Sequence, residues 1–183
     1  MGAYFDDGRG SAYVFIRDGT TWSQQAKLTA SDGATSDYFG SSVGISGDYA
    51  IVGANYDDDK GSASGSAYIF KRDGTAWTEQ VKLTASDGAA GDWFGTSVSI
   101  SGDYVLVGAS YDDDGGSDSG SAYIFKREAT VWTEQVKLAA SGGAAVDYFG
   151  CSVSISGDYV IVGACGDDSY RGSAYVFKRD GTA

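Results

Sequence analysis

Two aspartate-rich loops contain the residues of this sequence best suited to chemistry, namely the binding of a divalent cation. Calcium takes roughly six to eight oxygen ligands at about 2.3–2.6 Å, and side chains at alternate positions of a glycine-kinked loop supply them. The first loop has Gly115 at its bend, whereas the second has Lys60 there. The candidate calcium ligands are Ser110, Asp112, Asp114 and Asp118 in the first loop and Asn55, Asp57 and Asp59 in the second. The alternative is that both are solvated hairpin loops, in which Asp and Gly are common for conformational reasons.

Further acidic residues and one tryptophan belong to the same predicted surface, which we expect to be strongly negative. These candidate ligand-face residues are Trp93, Asp32, Asp87, Asp167 and Asp168. Trp93 replaces the tyrosine found at two equivalent positions, so it either stacks on a ligand such as a sugar or packs inside the fold. The other tryptophans, Trp22, Trp77 and Trp132, recur at one repeat position and are expected in the core. The combination predicts a surface that recognises a protein or glycan ligand.

Cys151 and Cys165 are the third chemically distinctive group. They flank a predicted hairpin turn at Gly157-Asp158, which places them nearly opposite each other and within the Cα separation that a disulfide tolerates. We therefore predict a Cys151–Cys165 disulfide, which would contribute about 3 kcal/mol in the chain-entropy estimate and would indicate an oxidising compartment. Two free buried thiols are the alternative, and a metal-binding or redox role is a third interpretation.

Composition and charge argue against several classes of function. The chain has no His, no Ser-His or Cys-His arrangement and no Gly-rich loop opening a helix, so we expect no enzymatic activity. Its formal net charge of -12, from 13 Lys+Arg against 25 Asp+Glu, argues against binding to nucleic acid or to anionic membrane surfaces. No apolar run approaches the roughly 20 residues that span a membrane, so we expect no membrane insertion. No secretory signal is visible at Met1.

The sequence repeats itself, and the repeat must position all of these groups. The hexapeptide Gly-Ser-Ala-Tyr-(Val/Ile)-Phe begins at Gly10, Gly65, Gly120 and Gly172, at spacings of 55, 55 and 52 residues. Phe-Gly recurs in the same register, at intervals of 55 residues. We divide the single domain, residues 1–183, into a partial repeat 1–36, full repeats 37–91 and 92–146, and a partial repeat 147–183.

Each full repeat predicts four short antiparallel strands. In the copy 92–146 they are 94–101, 104–109, 121–127 and 132–139, of which the first alternates apolar and small polar residues and the second is apolar on both faces. A Ser-Gly-Asp turn joins the first two strands, and an Asp-Gly turn joins the last two except in this copy, where Glu128-Ala129 predicts a different turn type. A strand buried on both faces requires sheets stacked face to face, as in the blades of an all-β propeller.

These motifs resemble the FG-GAP repeats of integrin α-subunit propellers and of many bacterial surface proteins. The resemblance rests on Phe94-Gly95 followed by Val107-Gly108-Ala109, on the Ser-Gly-Asp-Tyr segment between them, and on their recurrence along the chain. It implies a seven-bladed β-propeller that is secreted or exposed at the cell surface. Integrin-type repeats carry a calcium loop between the first two strands. Here that connection is only Ser101-Gly102-Asp103 or its equivalent, too short to wrap an ion, so that calcium site is not carried over.

The strand count predicts an incomplete ring. We expect 13 strands, or about three and a quarter blades: two strands first, then two sets of four, then a final set of three. Three explanations stay open: a longer ring of which this is a part, a ring completed by two or more copies, and end-to-end addition into a filament. The expected function is an extracellular or cell-surface binding or adhesion module that acts through the acidic loop face. The alternative is a structural protein that self-associates by completing blades between copies.

Overall fold

The protein folds into four antiparallel β-sheets, which are the blades predicted from the repeat. The computed structural model describes residues 1–180, so the last residues of the predicted repeat 147–183 lie outside the described part. Blade 1 contains β1 (Gly2–Ala3), β2 (Ser11–Asp18) and β3 (Thr21–Leu28). Blade 2 contains β4 (Ser42–Ser46), β5 (Tyr49–Ala54), β6 (Ser66–Asp73) and β7 (Ala76–Leu83). Blade 3 contains β8 (Phe94–Ser101), β9 (Tyr104–Ala109), β10 (Ser121–Glu128) and β11 (Val131–Leu138). Blade 4 contains β12 (Phe149–Ser156), β13 (Tyr159–Ala164) and β14 (Ser173–Lys178).

The strands of each sheet lie in chain order, so each blade is a meander of antiparallel hairpins. The described residues contain 14 strands rather than the expected 13, because Gly2–Ala3 pairs with β2 as a short additional strand. Two residues are too few for the alternating pattern on which the sequence prediction depends. A 3-10 turn at Asp6–Gly8 and the helical turn α1 (Asp167–Tyr170) interrupt the loops of the terminal blades. No helix in the described part is long and apolar enough to cross a membrane.

The second strand of each full blade is buried on both faces, as its apolar sequence predicts. Val105, Leu106 and Val107 of β9 are fully buried. In β5, Val52 packs in the core shared with blade 1, whereas its neighbour Ile51 packs in the core shared with blade 3. Full burial of such a side chain contributes roughly 1.5–3 kcal/mol, so these strands hold adjacent blades together.

The tryptophans of the fourth strand depend on the preceding blade for their cover. Trp132 packs against Tyr49 of blade 2, with ring centroids 6.1 Å apart. Trp77 donates a hydrogen bond from Nε1 to Gln25 of blade 1 at 2.9 Å. Trp22, at the same position of blade 1, is 64% exposed, so the expectation of a core position is wrong for this residue. Its cover would have to come from the outward side of blade 1, where the described residues place no blade.

Glycines of three motifs converge where one blade meets the next. Gly108 of blade 3 lies against the carbonyl oxygen of Gly150 in blade 4, so closely that a Cβ at Gly108 would overlap this oxygen. Gly120 lies in the same way against the carbonyl of Phe149, with which it forms a parallel bridge. The Ser97 hydroxyl also donates to the Gly150 carbonyl at 2.7 Å. The Phe-Gly, Gly-Ala and Gly-Ser motifs therefore mark a backbone junction between blades, which explains why they share one register.

Two-residue turns close the first and last hairpins of the full blades. Gly102 has a φ of 57° in the turn between β8 and β9, and Gly74 has a φ of 60° in the turn between β6 and β7. Ala129 takes the equivalent position between β10 and β11 with a φ of 57°. The turn expected to differ in type therefore keeps the backbone of its glycine-containing equivalents, at a cost in strain because alanine has a Cβ.

Candidate functional site

One end of the blades gathers most of the candidate residues. It is formed by the loops between the second and third strands, here called BC loops, and by the loops that lead into the next blade, here called DA loops. The BC loops are residues 4–10, 55–65, 110–120 and 165–172, and the DA loops are residues 29–41, 84–93 and 139–148. Each DA loop donates backbone hydrogen bonds to the BC loop of the preceding blade, for example from Trp93 to Ala63 at 3.2 Å and from Gly91 to Ser62 at 2.9 Å. We call this end of the molecule the loop face.

A continuous row of aromatic side chains crosses the loop face. It consists of Tyr38, Tyr56, Trp93, Tyr111 and Tyr148, with successive ring centroids 4.7, 4.7, 4.1 and 5.0 Å apart. Neighbouring rings are tilted by 40–53° with respect to each other, and all five side chains are half-buried. We call these five residues the aromatic row. It runs without a gap from the DA loop that enters blade 2 to the DA loop that enters blade 4.

Exposed aromatic side chains extend the aromatic row at both ends. Phe5 packs edge-on against Tyr38, with ring centroids 5.3 Å apart. At the other end, desolvation together with a hydrogen bond to Tyr170 raises the pKa of Tyr148. Phe5 and Tyr170 are both exposed, so the two ends of the row are open to solvent.

The backbone holds the aromatic row at a conformational cost. Tyr38, Trp93 and Tyr148 have φ values of 58°, 56° and 52°. A non-glycine residue in this left-handed region costs roughly 1–2 kcal/mol. Such strain persists only where the surrounding structure determines it, and it clusters at functional sites. Each of the three residues directly precedes a buried phenylalanine, so the strained residue separates a surface ring from a core ring.

Beside the aromatic row, a lysine of the fourth strand joins the acidic residues of two loops. Lys137 Nζ lies 2.9 Å from Asp112, 2.6 Å from Asp114 and 2.8 Å from Asp87 of the preceding DA loop. The Tyr123 hydroxyl lies 2.8 Å from Asp112 and 2.9 Å from Asp87. The buried Asp112 carboxylate also accepts the backbone N–H of Asp114 at 3.1 Å. The cluster thus ties the BC loop of blade 3 to the DA loop before it.

Blade 2 repeats this cluster with the same geometry. Lys82 Nζ lies 2.9 Å from Asp57, 2.9 Å from Asp32 and 2.5 Å from Asp59. Desolvation alone would lower the pKa of Lys82, but its hydrogen bonds to the three carboxylates raise this pKa above its usual value. At Asp32, desolvation raises the pKa, but hydrogen bonds from Lys82 and Tyr68 together lower it. Both groups are charged at neutral pH, and the cluster is an ion-pair network.

These contacts give the predicted calcium ligands other surroundings than a calcium loop. In the loop 110–120, the structure brings Asp112 and Asp114 together around the Lys137 ammonium and leaves Ser110 and Asp118 outside this cluster. The loop 55–65 does the same with its Asp57 and Asp59 around Lys82, and leaves Asn55 outside. Among residues 1–180, no group of three or more His, Cys, Asp or Glu side chains has the arrangement of a metal site. An ammonium group thus stands where the sequence placed a cation, and calcium binding stays a prediction.

The remaining ligand-face candidates lie at separate points of the loop face. Trp93 is the central ring of the aromatic row, where it is both packed and partly accessible. Asp32 and Asp87 belong to the two lysine clusters. Asp167 accepts a hydrogen bond at 3.1 Å from the tyrosine of β14, while Asp168 is exposed on α1.

The structure contains Cys151 and Cys165 as free thiols, so the predicted disulfide is not formed in it. The two thiols are neighbours all the same. A bulge in β12, opposite the end of β13, turns Cys151 Sγ toward the carbonyl oxygen of Gly163 at 3.6 Å. Desolvation, reinforced by a hydrogen bond with Cys165, raises the pKa of Cys151 to about 11. The interpretation as two free buried thiols also needs correction, because Cys165 is exposed.

Sequence reasoning missed the lysines and most of the aromatic row. Lys82 and Lys137 lie 25 residues from Asp57 and Asp112, so no local pattern joins them. The available signal is the register itself, since this lysine, this aspartate and the tyrosine of the hexapeptide recur together at an interval of 55 residues. The tyrosines of the row recur in the same register, one in each BC loop and one before each Phe-Gly motif of blades 2 and 3 or its tryptophan replacement.

A family model described as FG-GAP repeat matches the chain three times, at residues 22–70, 77–125 and 132–177. Each match begins at the tryptophan of one blade's fourth strand and ends in the third strand of the next blade, so each spans an inter-blade junction. No curated protein matches the chain significantly. FG-GAP repeats occur in extracellular and cell-surface proteins. Because the matches cover well over half of its length and the blades have the expected four-stranded form, this chain belongs to the FG-GAP repeat family.

Proposed function

We propose that this protein is a non-enzymatic binding or adhesion module, outside the cell or on its surface, that recognises a protein or glycan ligand through its loop face. The observation that carries this proposal is the aromatic row. Aromatic side chains supply a large contact area and have few rotatable bonds, so they lose little conformational entropy on binding. The strained backbone at Tyr38, Trp93 and Tyr148 is further support, because it fixes the rings before any ligand arrives.

Carboxylates around the aromatic row complete the proposed surface. Asp58 and Asp113 are exposed in the two long BC loops, and each accepts a hydrogen bond only from a backbone N–H of its own loop. Their remaining oxygen lone pairs can accept hydrogen bonds from hydroxyl, amide or ammonium groups of a ligand. The negative charge of the chain, -12 overall, disfavours polyanionic ligands.

The titratable groups of the loop face support binding better than catalysis. A general acid or base works best with a pKa near the working pH. The pKa of Lys82 is raised and that of Asp32 is lowered, so both move away from neutrality. The equivalent groups at Lys137 and Asp87 shift in the same directions.

An array screen with matched variants tests the proposal. Labelled chain would be applied to arrays of glycans and of peptides, and its affinity for each bound compound would be measured in solution. Trp93→Ala removes the central ring, whereas Trp22→Ala removes an exposed tryptophan near the turn of β3 at the opposite end of its blade. We expect Trp93→Ala to weaken binding by roughly tenfold or more, about 1.4 kcal/mol, and Trp22→Ala to leave it unchanged. An array without any bound compound, or equal binding by Trp93→Ala, would count against the proposal.

A second proposal is self-assembly through the outward faces of blades 1 and 4. Val176 on blade 4 is 66% exposed, whereas Ile69 at the same position of blade 2 is fully buried against blade 3. Phe15 on blade 1 is 39% exposed, whereas Phe125 at the same position of blade 3 is 4% exposed. Docking one outward face on the other would repeat the junction found between blades 2 and 3. In a longer chain, further blades would cover the same faces.

Sedimentation velocity of the 183-residue chain tests the second proposal. If copies dock face to face, Val176→Glu and Phe15→Glu should each weaken association, because each places a charge in the new junction. Thr20→Glu, in the exposed turn between β2 and β3, is the control for added charge. A monomer at all concentrations would exclude self-assembly of this chain.

A further inference from the structure

We propose that Cys165 and Cys151 form a thiol–disulfide exchange site, at which low-molecular-weight disulfides such as oxidised glutathione convert the pair to an intramolecular disulfide. Blade 4 alone carries this pair, because the equivalent positions in blades 2 and 3 hold hydroxyl or amide residues. The inference does not depend on the proposed binding function, since the reaction involves neither the aromatic row nor the lysine clusters.

Local strand geometry brings the two thiols together. In blade 3, Thr96 Oγ1 and Ser110 Oγ occupy the equivalent positions and lie 3.4 Å apart. Strand β12 has the same register shift as β8, so blade 4 repeats the bulge that creates this proximity. Cys151 Sγ lies 3.6 Å from the carbonyl oxygen of Gly163, two residues before Cys165. The pair can therefore reach disulfide geometry, a Cβ separation of about 3.8 Å, with small side-chain adjustments.

The two thiols differ in access, and this difference assigns their roles. Cys165 is exposed, whereas Cys151 is half-buried. Burial, with a contribution from the hydrogen bond to Cys165, raises the pKa of Cys151 to about 11. At neutral pH the Cys151 thiol is protonated and shielded, so an incoming disulfide meets Cys165 first. Because the thiolate is the attacking species, Cys165 is the attacking thiol and Cys151 the resolving one.

The reaction consists of two exchange steps that balance in atoms and electrons. The Cys165 thiolate attacks one sulfur of oxidised glutathione, which forms a mixed disulfide and releases one glutathione thiolate. Cys151 then gives its proton to solvent, and its thiolate attacks the Cys165 sulfur and releases the second glutathione. Two protein thiols are oxidised to one disulfide, and one molecule of oxidised glutathione is reduced to two thiols.

The new bond would restrict the BC loop 165–172. Asp168, Ser169 and Tyr170 of this loop have φ values of 53°, 59° and 67°, so its backbone is strained. The bond would fix the first residue of the loop to β12. Arg171 is exposed in the same loop and offers a site for trypsin, whose cleavage reports how readily the loop opens.

Intact mass spectrometry of the reduced chain treated with oxidised glutathione tests the proposal. We expect a transient glutathione adduct on Cys165, followed by a product that lacks two hydrogens and carries no adduct. This product should be cleaved more slowly after Arg171 than the reduced chain. Cys151→Ser, which copies Ser41 of blade 2, should stop at a stable adduct on Cys165.

Matched variants make the outcome decisive. Cys165→Ser should form no adduct in the time that modifies Cys151→Ser completely. The double variant Cys151→Thr with Cys165→Ser copies Thr96 and Ser110 of blade 3, so it should fold and remain unreactive. A stable glutathione adduct on the wild-type chain, an adduct that appears first on Cys151, or a wild-type chain that stays reduced while Cys151→Ser reacts would each overturn the proposal.

Discussion

Ala129 occupies a position at which the equivalent hairpin turns have glycine. Its φ is 57°, and the equivalents Gly19 and Gly74 have φ values of 59° and 60°. Glycine adopts this conformation without a steric penalty, whereas alanine does not. We expect Ala129→Gly to raise the free energy of unfolding by about 1 kcal/mol and Gly74→Ala to lower it by a similar amount, as measured by urea titration. Equal stability of Ala129→Gly and the wild type would show that this turn is unstrained.

Lys137 is the residue on which the acidic cluster of blade 3 depends. Its ammonium lies 2.6–2.9 Å from three carboxylates, and the Asp112 side chain among them is only 4% exposed. Removal of the ammonium leaves a buried charge without its partner. We expect Lys137→Met to lower the free energy of unfolding by roughly 2 kcal/mol, since the cluster is partly solvated. Lys60→Met, at an exposed lysine of a BC loop, is the control, and an equally small loss in both variants would contradict this role.

The same variant bears on the calcium prediction. The ammonium and a calcium ion would compete for the carboxylates of Asp112 and Asp114. Calcium should therefore raise the melting temperature of Lys137→Met more than that of the wild-type chain, with magnesium as the control cation. Equal shifts in both proteins would show that the lysine does not occupy a cation site.

At the level of strands and blades, the junction glycines are the feature that decides whether neighbouring sheets can stack. Gly108 faces the backbone carbonyl of Gly150 in the next blade, which cannot move without disturbing the Phe-Gly motif. Gly163 holds the same position in blade 4, but a Cβ there would meet only side-chain atoms, chiefly the rotatable Ser152 hydroxyl. We expect Gly108→Ala to cost roughly 3 kcal/mol in unfolding experiments and Gly163→Ala much less. Similar losses at both positions would place the effect within the strand and not at the junction.

Acid stability should report the links between DA loops and the blades they enter. At Asp87, desolvation raises the pKa, but hydrogen bonds from Lys137 and Tyr123 together lower it. A carboxyl whose pKa is lowered by folding stabilises the protein above its unfolded-state pKa of about 3.9, and this contribution is lost as the pH falls. The free energy of unfolding should therefore decrease between about pH 5 and pH 2, and less steeply in Asp87→Asn.

A variant of opposite sign is the control for the acid titration. Burial raises the pKa of Asp92, so this carboxyl favours the folded state as the pH falls. Asp92→Asn should therefore make the loss of stability in acid steeper than in the wild type. If Asp87→Asn leaves the slope unchanged, its ion pair does not contribute to folding.

The blades were predictable from the sequence because their signals are local and repeated. The apolar run of β9 and the alternation of β8 each fit within one strand, and the interval of 55 residues fixes how the copies align. The two-residue β1 was missed because it is too short for any periodicity. Ala129 misled the turn prediction, because hairpin geometry and neighbouring strands override a residue's own preference.

The site was less predictable than the fold, because its contacts join distant parts of the chain. Asp87 lies 50 residues from Lys137, and Trp93 meets two tyrosines from different blades. The acidic loops were recognised correctly as a shared face, but the sequence does not show that lysines of the fourth strand reach into them. Exposure of Trp22 was equally invisible, since it depends on which blade lies outside blade 1.

Considered as a whole, the molecule has one polar, aromatic end and one end of tight turns. The loop face contains the aromatic row and both lysine clusters, whereas the opposite end carries two-residue turns such as those at Gly47 and Gly102. A propeller built in this way offers its irregular loops for recognition and uses its strands as a rigid support.

Hydrogen–deuterium exchange, in the presence of the array compound that binds most tightly, tests most directly whether the loop face is the binding surface. Protection is expected in the loops 29–41, 55–65, 84–93 and 110–120, and none is expected at the turns around Gly47, Gly102 and Gly157. Protection confined to those turns, or to the outer strands β7 and β11, would contradict the assignment of the loop face.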